Sequence, residues 1–125
     1  MKILITDDEY QILEALNDLL LFNKHVVFTA QSLEEAFMLL KENKFDLMIL
    51  DMNFPKGFGL NFLEKIRQQH PWLPVIVISG NLTEDLKSKL NKFGVAAYLE
   101  KPFLADEVLD IIQEFQRNEQ DSNTH

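Results

Sequence analysis

With 125 residues and 46% hydrophobic content, the chain can bury one core and leaves no room for a second catalytic domain. Twenty acids against twelve bases give a formal net charge of −8, which disfavours a nucleic-acid surface. The absence of cysteine excludes disulfides, thiolate chemistry and cysteine-bound zinc, leaving hard-cation chemistry as the attractive kind.

Lys2 to Thr6 is a short β-branched run closed by Asp7-Asp8-Glu9. Ile12, Leu13, Leu16, Leu19 and Leu20 then recur at helical spacing from Tyr10 to Phe22. Val26 to Ala30 predicts a second strand, and Ser32-Leu33-Glu34-Glu35 has the spacing of a capping box opening a helix to about Asn43. The third strand, Phe45 to Leu50, runs straight into Asp51. Met52-Asn53-Phe54-Pro55-Lys56-Gly57-Phe58-Gly59 then breaks regular structure.

A third helix, Leu60 to Gln69, carries Phe62, Leu63 and Ile66 on one face. The His70-Pro71-Trp72-Leu73-Pro74 turn leads into Val75-Ile76-Val77-Ile78, an unbroken apolar strand of the kind covered on both faces. Ser79-Gly80-Asn81 ends it. Thr83-Glu84-Asp85 starts a fourth helix that Gly94 stops, and Val95 to Leu99 is the fifth strand. Glu100-Lys101-Pro102-Phe103 precedes a last helix, Leu104 to Gln116, with Leu104, Val108, Ile111, Ile112 and Phe115 on its apolar face. The domain is taken as 1–117, and 118–125 as a polar tail or the start of a linker. The longest apolar runs fall far short of the roughly 18 residues a spanning helix needs, so a cytoplasmic location and no membrane contact are expected.

Five strands alternating with five helices imply right-handed crossovers and a parallel sheet with helices on both faces. The expected solution is the flavodoxin-like (βα)5 order 2-1-3-4-5, whose crevice opens at the carboxyl ends of strands one and three. Because all strands run one way, Asp7 and Asp8, Asp51, Ser79 and Lys101 emerge at one edge. Clustered carboxylates repel and demand a counter-charge, which a lysine and a divalent cation would supply. Mg²⁺, with Mn²⁺ as a substitute, fits oxygen ligands and one or two carboxylates. Asp8 and Asp51 are the expected direct ligands, the Asn53 backbone carbonyl a third, and Asp7 acts from behind them or through water. A carboxylate can be a phosphoryl nucleophile. Asp51 would attack, while Lys101, the Ser79 hydroxyl and the cation would each take a phosphoryl oxygen.

At these residues the chain resembles the receiver domain of two-component response regulators. The resemblance rests on Asp7-Asp8 after strand one, Asp51 with Pro55 and Gly59, Ser79-Gly80, and Lys101-Pro102-Phe103. It implies phosphorylation of Asp51 by a sensor histidine kinase or histidine phosphotransfer protein, a Ser79–Tyr98 conformational switch, and a cis Lys101-Pro102 bond. It also implies a downstream protein partner or output domain reading the helix 4/strand 5/helix 5 surface, with a phosphorylation-dependent homodimer as one form of that readout. The domain itself is expected to be no enzyme beyond phosphorylating and slowly dephosphorylating itself. The alternative is a magnesium-dependent phosphohydrolase of the aspartyl-nucleophile type. It would need a second carboxylate as acid or base, and Asn53, two residues after Asp51, cannot serve. A flavin-binding module would want a Ser/Thr/Gly-rich loop where Asp7-Asp8-Glu9 stands.

Among the remaining features, Lys87, Lys89 and Lys92 beside Glu84 and Asp85 read as a solvated helix face. His25, His70 and His125 lack metal-ligand spacing and read as surface or turn residues. Phe54 and Phe58 read as a cap on the core beneath the loop, with docking of a phosphoryl-donor protein as the competing reading.

Overall fold

The computed structural model describes residues 1–52, 54 and 59–123, with side chains described through residue 118. Five strands, β1 (Lys2–Thr6), β2 (Val26–Ala30), β3 (Leu47–Asp51), β4 (Val75–Ser79) and β5 (Ala97–Glu100), alternate with five helices. These are α1 (Tyr10–Phe22), α2 (Leu33–Glu42), α3 (Gly59–Gln69), α4 (Glu84–Asn91) and α5 (Ala105–Asn123). The sheet is parallel throughout, in the order β2-β1-β3-β4-β5 that the sequence predicts.

Side-chain alternation along the strands divides the interior into two cores. Met48 and Leu50 of β3 face a core built with Ala36 and Leu40 of α2, Phe62, Leu63 and Ile66 of α3, and Leu90 of α4. Leu47 and Ile49 face the other side, against Leu13, Leu16 and Leu20 of α1 and Val108 and Ile112 of α5. Every residue of β3 and β4 is buried, as a strand covered on both faces requires. Each fully buried Leu, Ile or Val contributes about 1.5–3 kcal/mol, so a one-residue slip, which exchanges the two faces, is strongly opposed.

Local signals set the helix starts. Ser32 Oγ accepts from the Glu35 amide at 3.1 Å, and Glu35 returns a bond to the Gln31 amide at 3.1 Å. Thr83 Oγ1 accepts from the Leu86 amide at 3.1 Å. Gly94, at φ +66°, lies in the left-handed region that stops a helix. Gly59 opens α3, and an added Cβ there would meet Met52 Cε at 2.8 Å.

Several boundaries differ from the sequence reading. β3 begins at Leu47 rather than Phe45, because the Asp46 carboxylate accepts from the Lys2 amide at 2.7 Å and pairing with β1 starts at Ile3 and Leu47. β5 runs Ala97–Glu100 rather than Val95 to Leu99. Leu104, expected on the apolar face of α5, precedes that helix and is 69% exposed. The same helix continues to Asn123, past the expected end at Gln116. Residues 117–123 contain neither Gly nor Pro, and a polar sequence without a stop signal extends a helix that packing has already nucleated.

His25 lies in the turn between α1 and β2, one of its two expected settings, but is buried there rather than at the surface, with its Nδ1 3.2 Å from the amino-terminal nitrogen of Met1. Phe54 belongs to the core on the α2, α3 and α4 side, as the bland reading of that residue has it; Phe58 lies outside the described residues.

Candidate functional site

The parallel register carries the predicted acids and the lysine to one edge of the sheet. Thr6 pairs with Leu50, Asp51 with Ile78 and Ser79 with Glu100, so Asp7, Asp51, Ser79 and Lys101 sit at adjacent strand ends. The ladder continues into the loops through Asp7 N to Ala30 O at 3.1 Å, Met52 N to Ile78 O at 2.9 Å and Lys101 N to Ser79 O at 2.9 Å. These bonds fix the directions in which the functional side chains leave the sheet. The Lys101-Pro102 bond is cis.

Asp51 is 1% exposed, on the α1 and α5 side of β3, and its Oδ2 accepts from Lys101 Nζ at 2.5 Å. The same ammonium reaches Glu9 Oε1 at 3.3 Å. Carboxylate oxygens of Asp7, Asp8, Glu9 and Asp51 all lie within 4.8 Å of one another, with Asp7 and Asp51 buried and Asp8 and Glu9 exposed. Asp7 Oδ1 accepts from the Glu9 amide at 2.9 Å, while Asp7 Oδ2 is buried and, among the described residues, has no hydrogen-bond partner.

The electrostatics follow from that crowding. Burial, then the Asp51 carboxyl beside it, push Asp7 up to about 7, against the Glu9 amide and Lys101, which favour its anion. Burial by itself would lower Lys101, but its hydrogen bond to Asp51 and the charges of Asp51 and Asp7 outweigh that and hold the ammonium above its ordinary range.

Ser79 is 3% exposed and its Oγ accepts from the Asn81 amide at 3.1 Å. Tyr98 sits one strand away, opposite Val77. Its half-buried ring packs against the core on the α4 side and its hydroxyl donates to Asn91 Oδ1 at the end of α4. Asn53, the expected third ligand, lies outside the described residues. Asp7, Asp8, Asp51, Ser79 and Lys101 are thus gathered at one edge, with Tyr98 set apart on the α4 side.

Sequence reasoning did not place Glu9 in the site. Its position directly after the acid pair was visible, but only the start of α1 at Tyr10 turns its carboxylate toward a lysine 92 residues away. Arg67 was also missed. From α3 it donates to the carbonyls of Phe93, His70, Leu73 and Gly94, joining the carboxyl ends of α3 and α4.

A family model described as "Response regulator receiver domain" matches residues 3–113. The chain belongs to this family. As a receiver domain it is a phosphorylation-dependent signalling switch, and nothing in the comparisons favours the phosphohydrolase alternative.

Among curated relatives, this receiver domain is 35% identical to the response regulator protein FleR of Pseudomonas aeruginosa over 111 residues, covering 89% of this chain and 24% of that protein. It is 35% identical to the regulatory protein VanR of Enterococcus faecium, covering 82% of this chain and 44% of that one. The domain therefore spans about a quarter to under a half of those relatives' length. Among solved structures, a CheY-like receiver domain from Methanospirillum hungatei superposes with a TM-score of 0.88 at 26% identity, covering 96% of this chain and 97% of the other. A receiver domain from Clostridium thermocellum gives 0.85 at 32% identity, covering 95% and 96%. Among the described residues no helix is long and apolar enough to cross a membrane.

Proposed function

We propose that Asp51 is the phosphoacceptor of this receiver domain and that Lys101 and Ser79 stabilise the group it accepts. One observation carries the reading: a buried carboxylate lies 2.5 Å from a lysine ammonium within a cluster of four carboxylates. An Asp51 oxygen forms the new bond to phosphorus, the bond between phosphorus and the donor's nitrogen or oxygen breaks, and the electron pair leaves with the donor. Lys101, already poised on Asp51 Oδ2, pairs with one phosphoryl oxygen. The Ser79 hydroxyl, which accepts from Asn81, donates its own proton to another.

The donor set suits a hard divalent cation. Four carboxylates lie within 4.8 Å of one another, and Asp7 Oδ2 is buried without a hydrogen-bond donor among the described residues. Asp8, Asp51 and the Asn53 carbonyl would hold Mg²⁺ or Mn²⁺, with Asp7 contributing through water. A bound cation supplies positive charge for the phosphoryl oxygens.

Ser79 and Tyr98 form the switch in this reading. Movement of Ser79 toward the phosphoryl oxygen opens space for the Tyr98 ring, which must first leave Asn91, and the α4, β5 and α5 surface repacks. The phosphoryl source is a histidine kinase or histidine phosphotransfer protein. The repacked surface is read by a downstream protein, an output domain or a second copy of the chain.

The test is intact mass after incubation with a small acyl phosphate, with and without Mg²⁺, for the wild type and Asp51→Asn. A magnesium-dependent gain of one phosphoryl group in the wild type only is expected. No gain, with cation binding demonstrated, would overturn the assignment.

A further inference from the structure

We propose that Glu9 is a positioning residue for Lys101: its carboxylate shares the lysine's ammonium with Asp51, so that an incoming phosphoryl group must compete with Glu9 for it. The inference rests on the assignment of Asp51 as phosphoacceptor and adds to it a residue that restrains the reaction.

Three observations point the same way. Glu9 occupies the N-cap of α1, yet its side chain makes no capping hydrogen bond, so it does not satisfy the free amides a cap residue normally serves. Its backbone amide is fixed by Asp7 Oδ1 at 2.9 Å, which sets the direction in which the side chain leaves. That direction brings Oε1 to 3.3 Å from Lys101 Nζ, although the Glu9 side chain is 58% exposed and has solvent available instead. A lysine ammonium carries three donors. With one on Asp51 and one on Glu9, a single donor is left, its direction is set by the other two, and a phosphoryl oxygen that takes it shares the ammonium's charge with both carboxylates. The half-exposed pair is weak, so the restraint is modest: exposed ion pairs at this separation correspond to about a two- to fivefold change in an equilibrium or rate.

Two substitutions in the full chain separate this contact from a general effect of charge. Glu9→Gln removes the charge, whereas Glu9→Asp keeps it at the same backbone position but shortens the reach by one methylene. The first measurement is the rate of acyl-phosphate-driven phosphorylation of Asp51, by intact mass at saturating Mg²⁺. The second is the ¹⁵N resonance of the Lys101 ammonium in metal-free protein at fixed pH, assigned with Lys101→Arg.

Both variants are expected to accept the phosphoryl group about two- to fivefold faster than wild type and to move the Lys101 resonance. The inference is overturned if Glu9→Asp matches wild type while only Glu9→Gln is faster, because bulk charge would then explain the effect. It is equally overturned if neither rate changes, or if the Lys101 resonance is the same in all three proteins. A wild type that takes up no phosphoryl group would instead remove the phosphoacceptor assignment, and the resonance would still report independently whether Glu9 holds the lysine.

Discussion

Replacing Asp7 by Asn should stabilise the metal-free fold, although it alters the acidic cluster itself. Asp7 is 1% exposed, and burial together with the neighbouring Asp51 pushes it up to about 7 from an ordinary value of 3.8. Its folded pKa lies above its unfolded one, so the stability tied to its proton is fully present below about pH 4 and is lost as pH rises through about 7. At about 1.4 kcal/mol per pH unit, the gap gives an upper limit of about 4 kcal/mol at alkaline pH. Asn matches the shape, can accept the Glu9 amide through its carbonyl oxygen, and puts a donor where Asp7 Oδ2 now lacks one. Urea unfolding in the presence of a chelator should therefore show Asp7→Asn more stable by about 2–4 kcal/mol near pH 8. The advantage should shrink as pH falls toward about 5. Adding Mg²⁺ should stabilise the wild type more than the variant, because linkage rewards whichever native state binds the ion better. A variant no more stable than wild type near pH 8, or an advantage unchanged between the two pH values, would refute the account of strain stored in the acidic cluster.

Two other substitutions test parts of the fold outside the acidic cluster. Arg67→Met keeps the apolar stem but removes four donations to the carbonyls of His70, Leu73, Phe93 and Gly94; chemical unfolding should show a loss of about 2 kcal/mol or more, and a loss within experimental error would mean that water satisfies those carbonyls equally well. His25 is held below its ordinary value by burial and then by the Met1 ammonium, so its unfolded form takes up the proton first and stability is lost as pH falls through about 6.5. Relative to His25→Gln, the wild type should lose stability between about pH 7.5 and 5.5; parallel pH profiles would show that His25 does not titrate differently on folding.

The sequence alone carried the element order, because each strand is a short apolar or β-branched run, the helices show apolar residues at helical spacing, and α2 and α4 have start signals at Ser32 and Thr83. Strand-end chemistry was equally legible: Asp51, Ser79 and Lys101 stand immediately after or at the ends of runs that can only be buried strands, and parallel topology brings such ends to one edge. What periodicity could not show was anything decided by contact across the fold. The end of α5 depends on how far a packed helix propagates through polar residues that carry no stop. The start of β3 depends on the Asp46 carboxylate meeting the Lys2 amide across the sheet. His25 is buried because a turn folds it against the chain's own amino terminus. Glu9 reads locally as one more acid before a helix; its partner Lys101 lies 92 residues on, and only the closed sheet brings the two within 3.3 Å. Local sequence sets which residues can stand at strand ends, whereas the distances and desolvation that give those residues their chemistry are properties of the assembled tertiary structure.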